Sequence, residues 1–193
     1  MAEKIRLLFL AGSAREASHN KRLARLAAKV AAEEGADAVF VDLADYSLPL
    51  YNGDLESAEG VPENARKLKA MFREAQGFFI ASPEYNSSIP PLLKNALDWV
   101  SRKEQDDEPP LAAYKGKAAA LSAASPGKLG GLRVLVVLRM MLGNIGVYLV
   151  PDQLAVGGAD KAFDDNGELQ DPRQAESLRS IVRALIRTAE RLR

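Results

Sequence analysis

This sequence predicts a doubly wound α/β fold on a five-stranded parallel sheet, and three observations carry the prediction. Apolar runs of strand length alternate with segments of helical period along the chain. The runs are apolar throughout, as strands covered on both faces are. Each is followed by a helical segment, the kind of connection that parallel strands need.

The first strand, residues 5–10, contains Leu7-Leu8-Phe9-Leu10, and Ser18 is a good N-cap for a helix over 18–34. Further strands are expected at 38–43, 77–81, 118–122 and 146–150, and further helices over 62–75, 90–101, 132–142 and 171–192. Pro90 marks a helix start, because a proline in the first turn removes an N–H that has no intrahelical partner. That helix sets Leu92, Leu93, Ala96, Leu97 and Val100 on one stripe. The segment 132–142 is apolar almost all round, more than one sheet face requires, so its outer side is expected to meet another subunit in a homodimer or larger assembly. The charged connection 102–110 reads as a solvated loop. Five such strands suit the flavodoxin-like order 2-1-3-4-5, in which ligands sit beyond the carboxyl ends of the strands where the order reverses. The loops after Leu10, Ala81 and Ser122 should therefore carry the function.

Composition narrows the function classes. With 193 residues, 47% hydrophobic and 27% charged, the whole chain, 1–193, is expected to form one domain. Twenty-six basic residues balance 26 acidic ones, leaving no excess charge for nucleic acid or an anionic membrane. Cysteine is absent, which removes disulfides, thiolate metal sites and thiol nucleophiles, so redox chemistry would have to come from a bound cofactor. The only histidine is His19, which excludes a His-rich metal site. The apolar run after Lys4 and Arg6 is too short for a secretion signal, and no run approaches the roughly 20 residues that span a bilayer, so a cytoplasmic protein is expected.

Three loops offer recognisable chemistry. In the first, Gly12 allows a sharp turn, the start of the following helix attracts an anion, Ser13 and Ser18 offer hydroxyls, Asn20 an amide and Arg15 a charge-assisted pair for phosphate oxygens. His19 reads as a packing or orienting residue. It is neither a dinucleotide-binding glycine fingerprint nor a P-loop. In the second, Ser82-Pro83-Glu84-Tyr85-Asn86, Tyr85 stands on a loop between prolines, where it could lie against a planar ring. In the third, from Ser122 through Ser125-Pro126-Gly127-Lys128-Leu129-Gly130-Gly131, small residues permit close approach of the backbone to a flat ligand.

G-S-x-R-x-x-S-x-N after the first strand, P-E-Y-N-x-S-x-P-x-x-L-K-N-A-x-D-W after the third and S-P-G-x-x-G-G-x-R after the fourth resemble the NADPH-dependent FMN reductase family, which includes quinone, chromate and azo-dye reductases. The second motif is highly specific, and the match runs in order over most of the chain. The resemblance implies FMN as cofactor, NADPH or NADH as electron donor, hydride transfer through the flavin to small acceptors, and dimers or tetramers. It places Ser13, Arg15, Ser18 and Asn20 at the phosphate, with His19 among them where an aromatic residue is common. Pro83, Glu84, Tyr85 and Asn86 would lie beside the ring and ribityl chain, and Ser122, Ser125, Gly127 and Gly130 around the far edge of the ring. Tyr85 is then a ring-positioning residue, no side chain is expected to be catalytic, and no metal is expected. Pro91 stands where several members have glycine.

Other readings of the fold meet the residues less well. A low-molecular-weight phosphatase needs a cysteine in the first loop, and a response regulator needs acids where this chain has Ala11-Gly12 and Ala81-Ser82. The stretch 164–167 is a turn, not a calcium loop, and Asp42 a strand-end carboxylate. A flavin-binding electron carrier or sensor without nicotinamide turnover is the alternative. Such carriers are typically strongly acidic, and this chain is neutral.

Overall fold

A strand enclosed on both faces has no polar alternation, and residues 77–81, Gly-Phe-Phe-Ile-Ala, are buried at every position. The computed structural model describes residues 4–193. Along it lie β1 (Arg6–Ala11), α1 (His19–Glu33), β2 (Asp37–Val41), α2 (Gly53–Glu59), α3 (Glu63–Glu74), β3 (Gly77–Ala81), α4 (Pro91–Val100), β4 (Ala118–Ala124), α5 (Leu132–Asn144), β5 (Tyr148–Val156) and α6 (Pro172–Leu192). The strands pair in parallel in the order β2-β1-β3-β4-β5, as the sequence predicts.

Two apolar layers sandwich the sheet. On one side Phe9 and Phe79 meet Leu23 and Ala27 of α1 and Leu178, Ile181 and Leu185 of α6. On the other, Leu8, Phe78 and Ile80 meet Leu68 and Phe72 of α3, Leu93 and Leu97 of α4, and Leu135 and Leu138 of α5. Burial of this kind, at about 25 cal/mol per Å² of apolar surface, is the main force holding the layers together.

Four expectations need correction. The second strand ends at Val41 instead of running to residue 43, because the Asp42 carboxylate accepts from the Ala44 N–H and starts a 3₁₀ turn. The fifth strand runs to Val156, past Pro151. It lies on the sheet edge, where a missing N–H is tolerated, and the register shifts opposite Ala119 to Leu121 to absorb the irregularity. In α4 it is Trp99 that is fully buried, and Leu92 only partly. The connection 102–110 is not wholly solvated: Glu108 is buried against Lys69, itself only 1% exposed.

A small third cluster explains how residues 48–61 are held. Val61, Ala65 and Trp99 pack with Leu48, Tyr51 and Leu55. Asn95 accepts from the Tyr51 N–H at 2.8 Å and donates to the Pro49 carbonyl at 2.9 Å, while the Trp99 indole donates to that same carbonyl at 2.8 Å. Two polar residues of the L-K-N-A-x-D-W motif thus serve to fix the segment after β2.

Candidate functional site

The strand order reverses at β1, whose neighbours β2 and β3 lie on opposite sides. The loop after β1 leaves at that point, tied to β3 by the Gly12 N–H donating to the Ala81 carbonyl at 2.9 Å. Ser13 and Ser18 are 4% exposed. The Ser13 hydroxyl accepts from the Arg15 N–H, and Ser18 caps α1 by accepting from the Lys21 N–H, both at 3.3 Å. The amides of His19 and Asn20, the first two residues of α1, have no intrahelical acceptor, as at any helix start. Arg15 is exposed beside them.

Lys21 was not foreseen. Its ammonium, on a side chain 4% exposed, reaches Asp42 at 2.7 Å and the Ala14 carbonyl at 3.2 Å, so it holds the first loop from beneath and places a buried positive charge under it. The signal was slight: Lys21 sits three residues before Ala24, at the margin of the buried stripe of α1. Asp42, already paired with Lys21, also lies 3.7 Å from Arg25, as befits a structural strand-end carboxylate.

Asn20 takes a different part from the one expected. Its Nδ2 donates to the Ala124 carbonyl at 2.8 Å and its Oδ1 accepts from the Ala124 N–H at 2.9 Å. The amide offered to an anion is engaged in tying the first loop to the third. His19 is half-buried, and its Nδ1 is enclosed without a hydrogen-bond partner. Burial, with Arg15 and Arg22 nearby, lowers the imidazole pKa from its ordinary value, against the smaller opposing pull of Asp160.

The second loop carries Tyr85 on a tight turn. Tyr85 and Ser88 exchange backbone hydrogen bonds at 3.1 and 3.0 Å, with Asn86 at φ 51° and Ser87 at φ 66° between them. Asn tolerates the left-handed region, whereas for serine it is strained by about 1–2 kcal/mol. The turn leaves the Tyr85 ring 46% exposed, open to a flat partner. Pro83 is half-buried and its carbonyl accepts from the Ser82 hydroxyl at 2.9 Å.

Glu84 turns away to a structural task. One carboxylate oxygen accepts from the N–H groups of Arg133 and Val134 at 3.0 and 3.2 Å, and the other lies 2.6–2.7 Å from the Arg133 guanidinium. It does for α5 what the residue before the helix, Gly131, has no side chain to do. Burial pushes this carboxyl up, but Arg133 and the two amides outweigh it and hold it below the usual carboxylate value.

In the third loop Ser125 is half-buried and its hydroxyl accepts from the exposed Gly127 N–H at 3.3 Å. Two expected residues stand apart. Gly130 is buried, and a Cβ there would fall 2.6 Å from the Val156 backbone, so its missing side chain admits the chain's own fifth strand and not a flat ligand. Ser122 is fully enclosed, with its hydroxyl unpartnered, among residues of the α1 and α6 layer and away from the loop surface.

What converges beyond the carboxyl ends of the strands is an anion-suited helix start with two hydroxyls and a guanidinium, and an exposed aromatic ring on a stiff turn. These donors fit a phosphate monoester attached to a planar system. Among the described residues no group of three or more His, Cys, Asp or Glu is placed to hold a metal, and no helix is long and apolar enough to cross a membrane.

The profile of the NADPH-dependent FMN reductase family matches residues 5–161. The chain belongs to this family. An NAD(P)H-dependent FMN reductase of Pseudomonas aeruginosa is 34% identical over 195 residues, covering 100% of each chain. A quinone reductase of Escherichia coli is 35% identical over 173 residues, 89% of this chain and 88% of its own. Among solved structures the NAD(P)H:acceptor oxidoreductase FerB of Paracoccus denitrificans superposes with a TM-score of 0.81 at 29% identity, covering 97% and 98% of the two chains. The FMN reductase family and the parallel sheet of this chain thus agree with what the three loop motifs imply.

Proposed function

We propose that this chain is an NAD(P)H-dependent oxidoreductase that holds FMN across the three loops and passes electrons from NADPH or NADH to small acceptors such as quinones, free flavin, chromate or azo compounds. The observation that carries the reading is the pair of buried hydroxyls, Ser13 and Ser18, set with Arg15 at the start of α1 where the strand order reverses. The names of the relatives, an FMN reductase and a quinone reductase, support it.

In this reading Ser13, Arg15, Ser18 and the first α1 amides hold the phosphate. Pro83, Tyr85 and Asn86 flank the ring system, while Ser125 and Gly127 border its far edge. When bound, FMN supplies the redox chemistry, accepting a hydride from the nicotinamide and giving the electrons to the acceptor. The protein's work is position and electrostatics: Lys21 stiffens the phosphate loop, Asn20 fixes it to the third loop, and Glu84 fixes the second loop to α5. The whole chain is one cytoplasmic unit, assembled as a homodimer or homotetramer through the exposed side of α5, and it binds neither nucleic acid nor membrane.

The test is the visible spectrum of the protein with one equivalent of FMN, recorded without oxygen before and after NADPH. A perturbed spectrum that bleaches supports the enzyme. A perturbed spectrum that does not bleach makes the chain a carrier or sensor, and an unperturbed one removes the flavin site.

A further inference from the structure

His19 is the only histidine of the chain, and it occupies the first helical position of α1, between the capping Ser18 and the bracing Asn20. Its neighbours on both sides have defined hydrogen bonds, yet its own Nδ1 is enclosed without one. An enclosed ring nitrogen without a partner is costly, and such atoms in native proteins generally answer to something. The charges that act on the imidazole are Arg15 from the first loop, Arg22 from the next turn of α1, and Asp160 from the segment after β5. Two cations and a helix start oppose one carboxylate, so the free loop keeps the ring neutral. A phosphate monoester placed there brings nearly two negative charges and reverses that balance.

We propose that His19 is a phosphate-recognition residue whose imidazole takes up one proton from solvent as a phosphate dianion binds the loop. The charge it gains is then matched by the ligand, and by linkage the phosphate binds more tightly wherever the proton is available. This rests on the reading that the loop holds the phosphate of FMN. It gives the site a means of preferring a phosphorylated flavin over riboflavin, and it is particular to a chain with histidine, not an apolar aromatic residue, at this position.

With one histidine, the imidazole signals in an NMR titration belong to one residue, and FMN, riboflavin and inorganic phosphate can be added as separate probes. The expected result is a rise in the His19 pKa of about one unit or more with FMN or inorganic phosphate and none with riboflavin, equal to about tenfold in phosphate affinity. Calorimetry of FMN binding in buffers of different ionisation heat, near neutral pH, should show net proton uptake in the wild type. His19→Phe should keep a perturbed flavin spectrum and lose that uptake. If FMN perturbs the flavin spectrum but the His19 titration is unmoved, or moves equally with riboflavin, the inference is overturned and the FMN reading stands. If FMN does not bind, both are overturned.

Discussion

Asn20 on α1 and Ala124 at the end of β4 exchange two hydrogen bonds, 2.8 and 2.9 Å, across 104 residues of sequence. The side chain lies next to the residue that meets the phosphate in our reading, and the backbone it holds opens the loop proposed for the ring's far edge. Replacing Asn20 by alanine leaves a buried N–H and carbonyl without partners, at about 1–3 kcal/mol each. Asn20→Ala is therefore expected to lose about 2 kcal/mol or more of stability, read as a lower urea midpoint at unchanged slope. FMN affinity should fall with it, even at temperatures where the variant is folded. An unchanged midpoint would mean that the two loops do not depend on this brace.

Glu84 offers a test with a pH signature. Glu84→Ala removes the acceptor for the α5 amides and strands Arg133, which should cost about 0.5–2 kcal/mol in a thermal melt; Glu84→Gln keeps an acceptor and should cost less. The carboxyl is held below its ordinary value of 4.5, so its contribution is fully present above that value and is lost as pH falls through the lower, folded-state value. Stability of the wild type should thus fall more steeply than that of Glu84→Gln on the acid side of 4.5. Parallel acid limbs for the two proteins would contradict the assignment.

How much of this was legible follows from where each signal lives. β3 was readable to the residue because both its faces are buried and every position is apolar. β5 was cut short in the reading because Pro151, Asp152 and Gln153 look like a stop, and only the edge position makes them acceptable. α2 went unseen because it buries no residue and so carries no apolar period. In the site, the loop residues were found by type and order, but Gly130 and Glu84 were given a ligand where the structure gives them β5 and α5. Nothing local to a glycine or a glutamate says which partner its geometry serves.

Lys69 and Glu108 are the plainest case of a signal that sequence hides, since the partners are 39 residues apart. The Lys69 ammonium lies 2.5 Å from Glu108 and 2.6 Å from the Arg102 carbonyl, on a side chain 2% exposed. Removing one member of a buried pair leaves the other charge stranded, at about 3–5 kcal/mol, whereas replacing both by apolar residues is often neutral. Lys69→Met should be strongly destabilised in denaturant melts, and Lys69→Met with Glu108→Leu should recover most of the loss. A double variant no better than the single would show that the connection is held elsewhere.

Leu132, Val136 and Met140 recur every four residues along one side of α5, 44%, 63% and 62% exposed, with Leu129 54% exposed just before the helix. Leu135 and Leu138 already supply the stripe that the sheet needs, so these side chains stabilise nothing within the described residues. Such a patch is smaller than the roughly 800 Å² per partner of a stable interface, which makes it the centre of a contact and not the whole of it. Light scattering of the wild type should give a multiple of 20.9 kDa, and Val136→Glu with Met140→Glu should give 20.9 kDa with an unchanged circular dichroism spectrum. A charge at each of two exposed positions costs a monomer little, because both carboxylates stay in water, but two such helices pressed together would bury them unpaired. A wild type that is already 20.9 kDa at micromolar concentration would leave the apolar face of α5 without a partner, and the homo-oligomer would have to be abandoned.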